Sequence, residues 1–126
     1  MEHSTKRPLV LIVEDEFLLR VNAVEMIEAA GYDAVEAANA DEAIAILEAR
    51  RDIHVVFTDI QMPGSMDGLK LARFVRARWP PIKIIATSGV LALRDRDLPE
   101  GGIFLPKPYT AETITDILRG LTVAVL

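Results

Sequence analysis

"VVFTDIQMPGSMDG", residues 55–68, is the stretch on which the reading of this chain turns. Val55, Val56 and Phe57 read as a strand crossing a core, because β-branched and aromatic side chains suit a packed, pleated surface. Asp59 suits neither a strand nor burial, yet it closes the run. Pro63-Gly64 then turns the chain sharply. Either Asp59 merely opens a turn, or the strand delivers a carboxylate to the rim of a sheet.

Outward from this stretch, apolar bursts alternate with helical patterns. "LVLIV" (9–13), "YDAVEA" (32–37), "IHVVFT" (53–58), "IKIIAT" (82–87) and "GIFL" (102–105) are the strand candidates. The first, third and fourth are almost unbroken in Val, Ile, Leu and Phe, as strands covered on both faces of a parallel sheet are. Helical patterns fall near 16–30, 40–50, 66–78 and 110–121. Gly31 ends the first, Asn39 or Asp41 can cap the second, and Pro80-Pro81 stops the third. The alternation predicts an α/β fold with an open, doubly wound parallel sheet. Its fourth crossover falls in "GVLALRDRDLPEG" (89–101), where Pro99 and Gly101-Gly102 leave room for a short or mobile helix only.

At 126 residues the chain fits one domain, and a domain of that length needs no staple to hold its core. It has no cysteine, which excludes disulfides, thiolate zinc sites and iron–sulfur clusters. A net charge of −5 argues against nucleic acid as a direct partner, since that binding needs a basic footprint. No apolar run approaches the roughly 20 residues that span a bilayer, so no membrane role is expected. The opening "MEHSTKRP" lacks the apolar centre of a signal peptide. Residues 1–7 are expected to be a short disordered lead-in, 8–121 the domain and 122–126 an apolar tail, in the cytoplasm.

Open parallel sheets bind ligands outside the carboxyl ends of their strands. The first burst ends on Glu14-Asp15-Glu16, the third on Asp59, the fourth on Thr87-Ser88-Gly89 and the fifth on Lys107, within "LPKPY". Taken singly, each has an ordinary reading: Asp15 as a helix cap, Asp59 as a turn starter, Ser88 as loop, Lys107 as a solvated charge. Taken together they place carboxylates, a hydroxyl and an ammonium along one edge. Two carboxylates about 4 Å apart repel by roughly 4 kcal/mol at an effective dielectric near 20. A hard divalent cation, Mg²⁺ above all, removes that repulsion and keeps Asp59 ionised. An ionised Asp beside such a cation is a competent nucleophile toward a phosphoryl group, whose oxygens Lys107 and Ser88 can meet.

"LIVEDE", "FTDIQMPGSMDG", "IIATSG" and "FLPKPY", in this order and at these separations, resemble the receiver domains of two-component response regulators. The resemblance runs from about Pro8 to Leu121. It implies a flavodoxin-like five-stranded sheet of order 2-1-3-4-5 flanked by about five helices, the fourth short or mobile. It implies Asp59 as the phosphoacceptor, with Asp15, Asp59 and the backbone carbonyl of Gln61 as Mg²⁺ ligands and Glu14 acting on the metal through water. Ser88 matches the family's hydroxyl residue and Lys107 its paired lysine. Thr87 rivals Ser88, but Gly89 supplies the small residue the family has directly after its hydroxyl, and strand neighbours point to opposite faces. Phe104 takes the place of the switch aromatic, though a core strand residue would read the same.

Two departures stand out. Gly64-Ser65 puts two residues between Pro63 and "MDG" where receivers usually have one, and the stretch from Ser88 to Lys107 is a few residues short. The resemblance places Gln61 and Val90 where the family's side chains influence attack by water, and so implies a phosphoryl lifetime of minutes or longer. On the first helix, Leu19, Ala23, Met26, Ile27 and Ala30 form one stripe toward the sheet. Phe17, Leu18, Val21 and Val24 lie elsewhere around it, and the resemblance implies that this face docks a histidine kinase or histidine phosphotransfer protein. The tail "LTVAVL" either extends the last helix or packs against a second copy in a homodimer.

The expectation is therefore a stand-alone receiver that takes a phosphoryl group from phosphohistidine onto Asp59. It would signal to a downstream protein by changed binding, or serve as a phosphate shuttle or sink, without turning over a separate substrate. The alternative is a Mg²⁺-dependent phosphohydrolase with an Asp nucleophile. Such enzymes usually carry a second carboxylate two residues after the nucleophile, where this chain has Gln61.

Overall fold

The computed structural model describes residues 7–90 and 93–122. Five strands alternate with four α-helices: β1 (Leu9–Val13), α1 (Phe17–Ala29), β2 (Asp33–Ala37), α2 (Ala40–Ala49), β3 (Ile53–Asp59), α3 (Gly68–Arg78), β4 (Lys83–Ser88), β5 (Ile103–Pro106) and α4 (Ala111–Thr122). All strand pairs are parallel, in the order β2-β1-β3-β4-β5. The order reverses between β1 and β3, which is where an open sheet of this kind forms its crevice.

The unbroken apolar runs are explained by burial on both faces. Along β1, Leu11 and Val13 pack with Ala43, Leu47, Leu71 and Val75 of α2 and α3. Val10 and Ile12, pointing the other way, pack with Ala23, Ile27, Ile114 and Leu118 of α1 and α4. A strand buried on one face only would have shown polar residues at alternate positions.

The helix boundaries follow local chemistry. Asn39 caps α2, accepting from the Glu42 N–H at 2.8 Å, and the Glu42 carboxylate returns to the Ala38 N–H at 2.7 Å. Asp67 caps α3 through the Lys70 N–H at 2.9 Å. Gly31, just past α1, adopts a φ of +105°, a left-handed conformation that glycine enters at little cost.

The fourth helix, expected to be short or mobile, is short: among the described residues it is a single 3₁₀ turn at Asp95–Asp97, which joins four α-helices in flanking the sheet. Its aspartates divert the backbone from a helical ladder: Asp97 accepts from the Arg94 N–H and Asp95 from the Phe104 N–H of edge strand β5, each at 2.8 Å. On α1, Leu19 is 37% exposed rather than turned to the sheet, because it lies in the first turn beyond the edge of the core. Val24, expected off the core-facing stripe, packs against the core with Met26 and Ala30.

Arg7, at the end of the expected lead-in, donates to the carbonyls of Glu28 at 2.6 Å and Tyr32 at 3.3 Å. Thr122, the first residue of the expected tail, continues α4, and its Oγ1 lies 2.8 Å from the Tyr32 hydroxyl. The rest of the lead-in and tail lies outside the described residues. Among those described, no helix is long and apolar enough to cross a membrane.

Candidate functional site

Side chains alternate along a strand, so a row that lines the core can continue into a site. Val10 and Ile12 lead to Glu14, Val55 and Phe57 to Asp59, and Leu105 to Lys107. The first two residues of each of the first two rows, and Leu105, lie in the cluster under α1 and α4. At the carboxyl end of β3 and just past those of β1 and β5, the three rows converge. Lys107 Nζ stands 3.2 Å from Glu14 Oε1 and 3.5 Å from Asp59 Oδ2. Single oxygens from Glu14, Asp15 and Asp59 all lie within 4.8 Å of one another. Glu14 and Asp59 are buried, whereas Asp15 is exposed.

Asp15 does not cap α1: the capping position is Glu16, with no side-chain cap hydrogen bond. Asp59 does more than open a turn. Its Oδ1 is buried and, among the described residues, has no hydrogen-bond partner. A buried unpaired carboxylate oxygen is costly, so it marks a place for a cation or a bond still to be made. Burial pushes the carboxyls of Asp59 and Glu14 above their ordinary range. Lys107 opposes the shift at both, the Gln61 N–H at Asp59 and the Glu16 N–H at Glu14, while Asp15 adds to the rise at Asp59 and Asp59 to that at Glu14.

Three carboxylates against one ammonium leave two negative charges in a half-enclosed hollow of hard oxygen donors. The donor set therefore fits a divalent cation of the Mg²⁺ kind. Both Glu14 oxygens are engaged, Oε1 with Lys107 and Oε2 with the Glu16 N–H at 3.1 Å. The Gln61 carbonyl accepts no hydrogen bond from the described residues, which leaves it available as a ligand.

Of the two candidate hydroxyls, Thr87 is buried and its Oγ1 has no hydrogen-bond partner among the described residues. Ser88, the last residue of β4, donates to Gln61 Oε1 at 2.6 Å and accepts from the Val90 N–H at 3.1 Å. Phe104 is half-buried against Ile60, Ala86 and Leu98.

Three supporting residues escaped the sequence reading. Arg20 donates to the Glu14 carbonyl at 2.8 Å and to Glu36 of β2 at 3.1 Å, tethering the acidic β1–α1 loop to the sheet. No local pattern distinguishes it from a solvated arginine. Tyr109 packs edge-on against Phe57, with ring centroids 5.6 Å apart. Burial, then the nearby charges of Glu14 and Asp59, pushes its hydroxyl up to about 12. Gly68 starts α3 directly against the end of β3, its N–H donating to the Ile60 carbonyl at 2.9 Å. A Cβ there would run into the Asp59 carbonyl oxygen and lie 2.8 Å from both the Asp59 carbonyl carbon and Ile60 Cα. These are backbone atoms that cannot step aside, so Gly68→Ala is expected to cost about 3 kcal/mol, measured by urea unfolding.

The response regulator receiver domain model matches residues 10–119. The sensor kinase CckA of Brucella abortus (strain 2308) is 36% identical over 114 residues, covering 87% of this chain and 12% of that protein. The aerobic respiration control protein ArcA of Escherichia coli (strain K12) is 45% identical over 123 residues, covering 90% of this chain and 48% of that protein. The chain thus spans less than half the length of either relative. Among solved structures, a response regulator receiver protein from Sinorhizobium medicae WSM419 superposes with a TM-score of 0.83 at 28% identity, covering 94% of this chain and 96% of that one. The receiver domain of the hybrid histidine kinase CckA does so with a TM-score of 0.76 at 31% identity, covering 90% and 97%. Fold, strand-end acidic hollow and sequence match agree: the chain belongs to the response regulator receiver domain family, the phosphoacceptor modules of two-component signalling.

Proposed function

We propose that this chain accepts a phosphoryl group on Asp59 from the phosphohistidine of a histidine kinase or a histidine phosphotransfer protein. The observation that carries the proposal is the buried Oδ1 of Asp59, without a hydrogen-bond partner among the described residues, in a carboxylate whose other oxygen faces Lys107. Asp15, Asp59 and the Gln61 carbonyl would hold Mg²⁺, with Glu14 reaching it through water because its own oxygens are engaged. Bound there, Mg²⁺ supplies the positive charge that keeps the carboxylates ionised and offsets charge on the phosphoryl oxygens.

The Asp59 carboxylate forms the O–P bond as the N–P bond of phosphohistidine breaks. The imidazole leaves with the electron pair and takes up a proton from solvent. Lys107, already aimed at Asp59, meets a phosphoryl oxygen, and Ser88 turns inward to meet another. Phosphorylation then shifts a pre-existing equilibrium of the Ser88–Pro108 face, which a downstream protein reads. A shuttle or sink for phosphate would use the same steps. No separate substrate is turned over.

The donor docks beside the site on α1, where Phe17 is 64% and Leu18 77% exposed and Val21 is half-buried. Val90, two residues past the end of β4, is 82% exposed. The same reading takes 8–121 as the receiver unit and places the protein in the cytoplasm with its donors.

Incubation with Mg²⁺ and acetyl phosphate tests this directly. The expected product is about one hydroxylamine-labile phosphoryl group per chain, absent when the divalent ion is chelated and decaying over minutes or longer. Rapid multiple turnover of acetyl phosphate would instead make the chain a phosphohydrolase.

A further inference from the structure

Among the described residues Asp59 Oδ1 has no hydrogen-bond partner, although the Ser88 hydroxyl ends the adjacent strand. The Ser88 proton is committed elsewhere, to the side-chain oxygen of Gln61 at 2.6 Å, while the Val90 N–H donates to the same hydroxyl at 3.1 Å. The backbone of Ser88 is held as well, its carbonyl accepting from the Lys107 N–H at 3.0 Å. Movement of the hydroxyl toward a phosphoryl group therefore breaks the bond to Gln61.

We propose that the Gln61 side chain is a positioning residue that holds Ser88 away from Asp59 in the resting protein and so sets the ease of the phosphorylation-linked change. The proposal rests on the phosphoacceptor reading above and adds to it a role for a side chain distinct from the Gln61 carbonyl. Gln61 is exposed, so its amide returns to water once Ser88 leaves. Only the net strength of one hydrogen bond is at stake, which corresponds to a change of about five-fold in an equilibrium.

The test is a double-mutant cycle read by the affinity for beryllofluoride with Mg²⁺, a phosphoryl mimic for carboxylates, followed by fluorine NMR. Gln61→Met keeps the length and the backbone carbonyl but removes the acceptor. It is expected to tighten beryllofluoride binding about five-fold relative to the parent chain. In a Ser88→Ala background the same substitution is expected to change nothing, because no hydroxyl remains to be released. Equal affinities of the parent chain and Gln61→Met, or an equal gain with and without Ser88, overturn the latch while leaving the phosphoacceptor reading intact. Absence of any Asp59-dependent adduct on the parent chain overturns both.

Discussion

Asp59→Asn is expected to abolish the hydroxylamine-labile phosphoryl group entirely while making the metal-free protein more stable near neutral pH. The gain in stability follows from burial. Asp59 is 6% exposed, one of its oxygens lacks a partner among the described residues, and burial is the largest cause of its raised pKa. Asn keeps the shape and removes the charge, and Lys107 is not orphaned because Glu14 remains 3.2 Å away. A gain of about 1 kcal/mol at neutral pH in the presence of a chelator is expected.

The pH dependence has a definite sign. Asp59 and Glu14 have folded-state pKa values raised above 3.8 and 4.5, so the folded chain holds protons that the unfolded chain has released. Their contribution to stability is fully present below those ordinary values and is lost as pH rises through the folded values. Urea unfolding of parent and variant across this window isolates the Asp59 share: their stability difference should be small in acid and grow toward neutral pH. Mg²⁺ should reverse the ranking, since only the parent has the full ligand set. A variant less stable than its parent in chelator would mean that Asp59 is not under strain.

Lys107→Met should have the second-largest effect, in the opposite direction for stability. Methionine keeps the apolar stem and removes the ammonium that faces both buried carboxylates. The carboxyls of Glu14 and Asp59 then lose the interaction that lowers them. Breaking a buried pair by deleting one partner costs about 3–5 kcal/mol. Since the lysine side chain is 20% exposed and partly screened, about 2 kcal/mol is expected here in chelator. Phosphorylation by acetyl phosphate should slow by about 10²–10³, because the phosphoryl oxygens lose a pre-placed ammonium. Mg²⁺ should restore part of the stability and little of the rate. Equal recovery of both would show that Lys107 only balances charge at rest.

Much of this molecule was legible in local patterns. The bursts at 9–13 and 53–58 reappear as β1 and β3 to within a residue, because strands buried on both faces admit almost nothing but apolar side chains. Asn39, Gly31 and Pro80-Pro81 mark helix ends through bonds and dihedral limits acting within a few residues. The fourth crossover was harder. "GVLALRDRD" carries some helical pattern, but Asp95 finds its partner on Phe104, an edge-strand N–H nine residues away. On α1, periodicity marks one stripe correctly at Ala23 and Ile27 and fails at Leu19, where the core underneath has already ended.

By itself the sequence determined that apolar strands end on carboxylates, a hydroxyl and a lysine, since alternation and composition are properties of short segments. Only the tertiary structure decided that Lys107 reaches Glu14 from 93 residues away, that Ser88 bonds to Gln61 instead of Asp59, and that Gly68 must pass within contact of the Asp59 carbonyl. Those outcomes depend on the register between strands and on how closely each helix approaches the sheet. Both are settled by packing among distant segments, which no local pattern encodes.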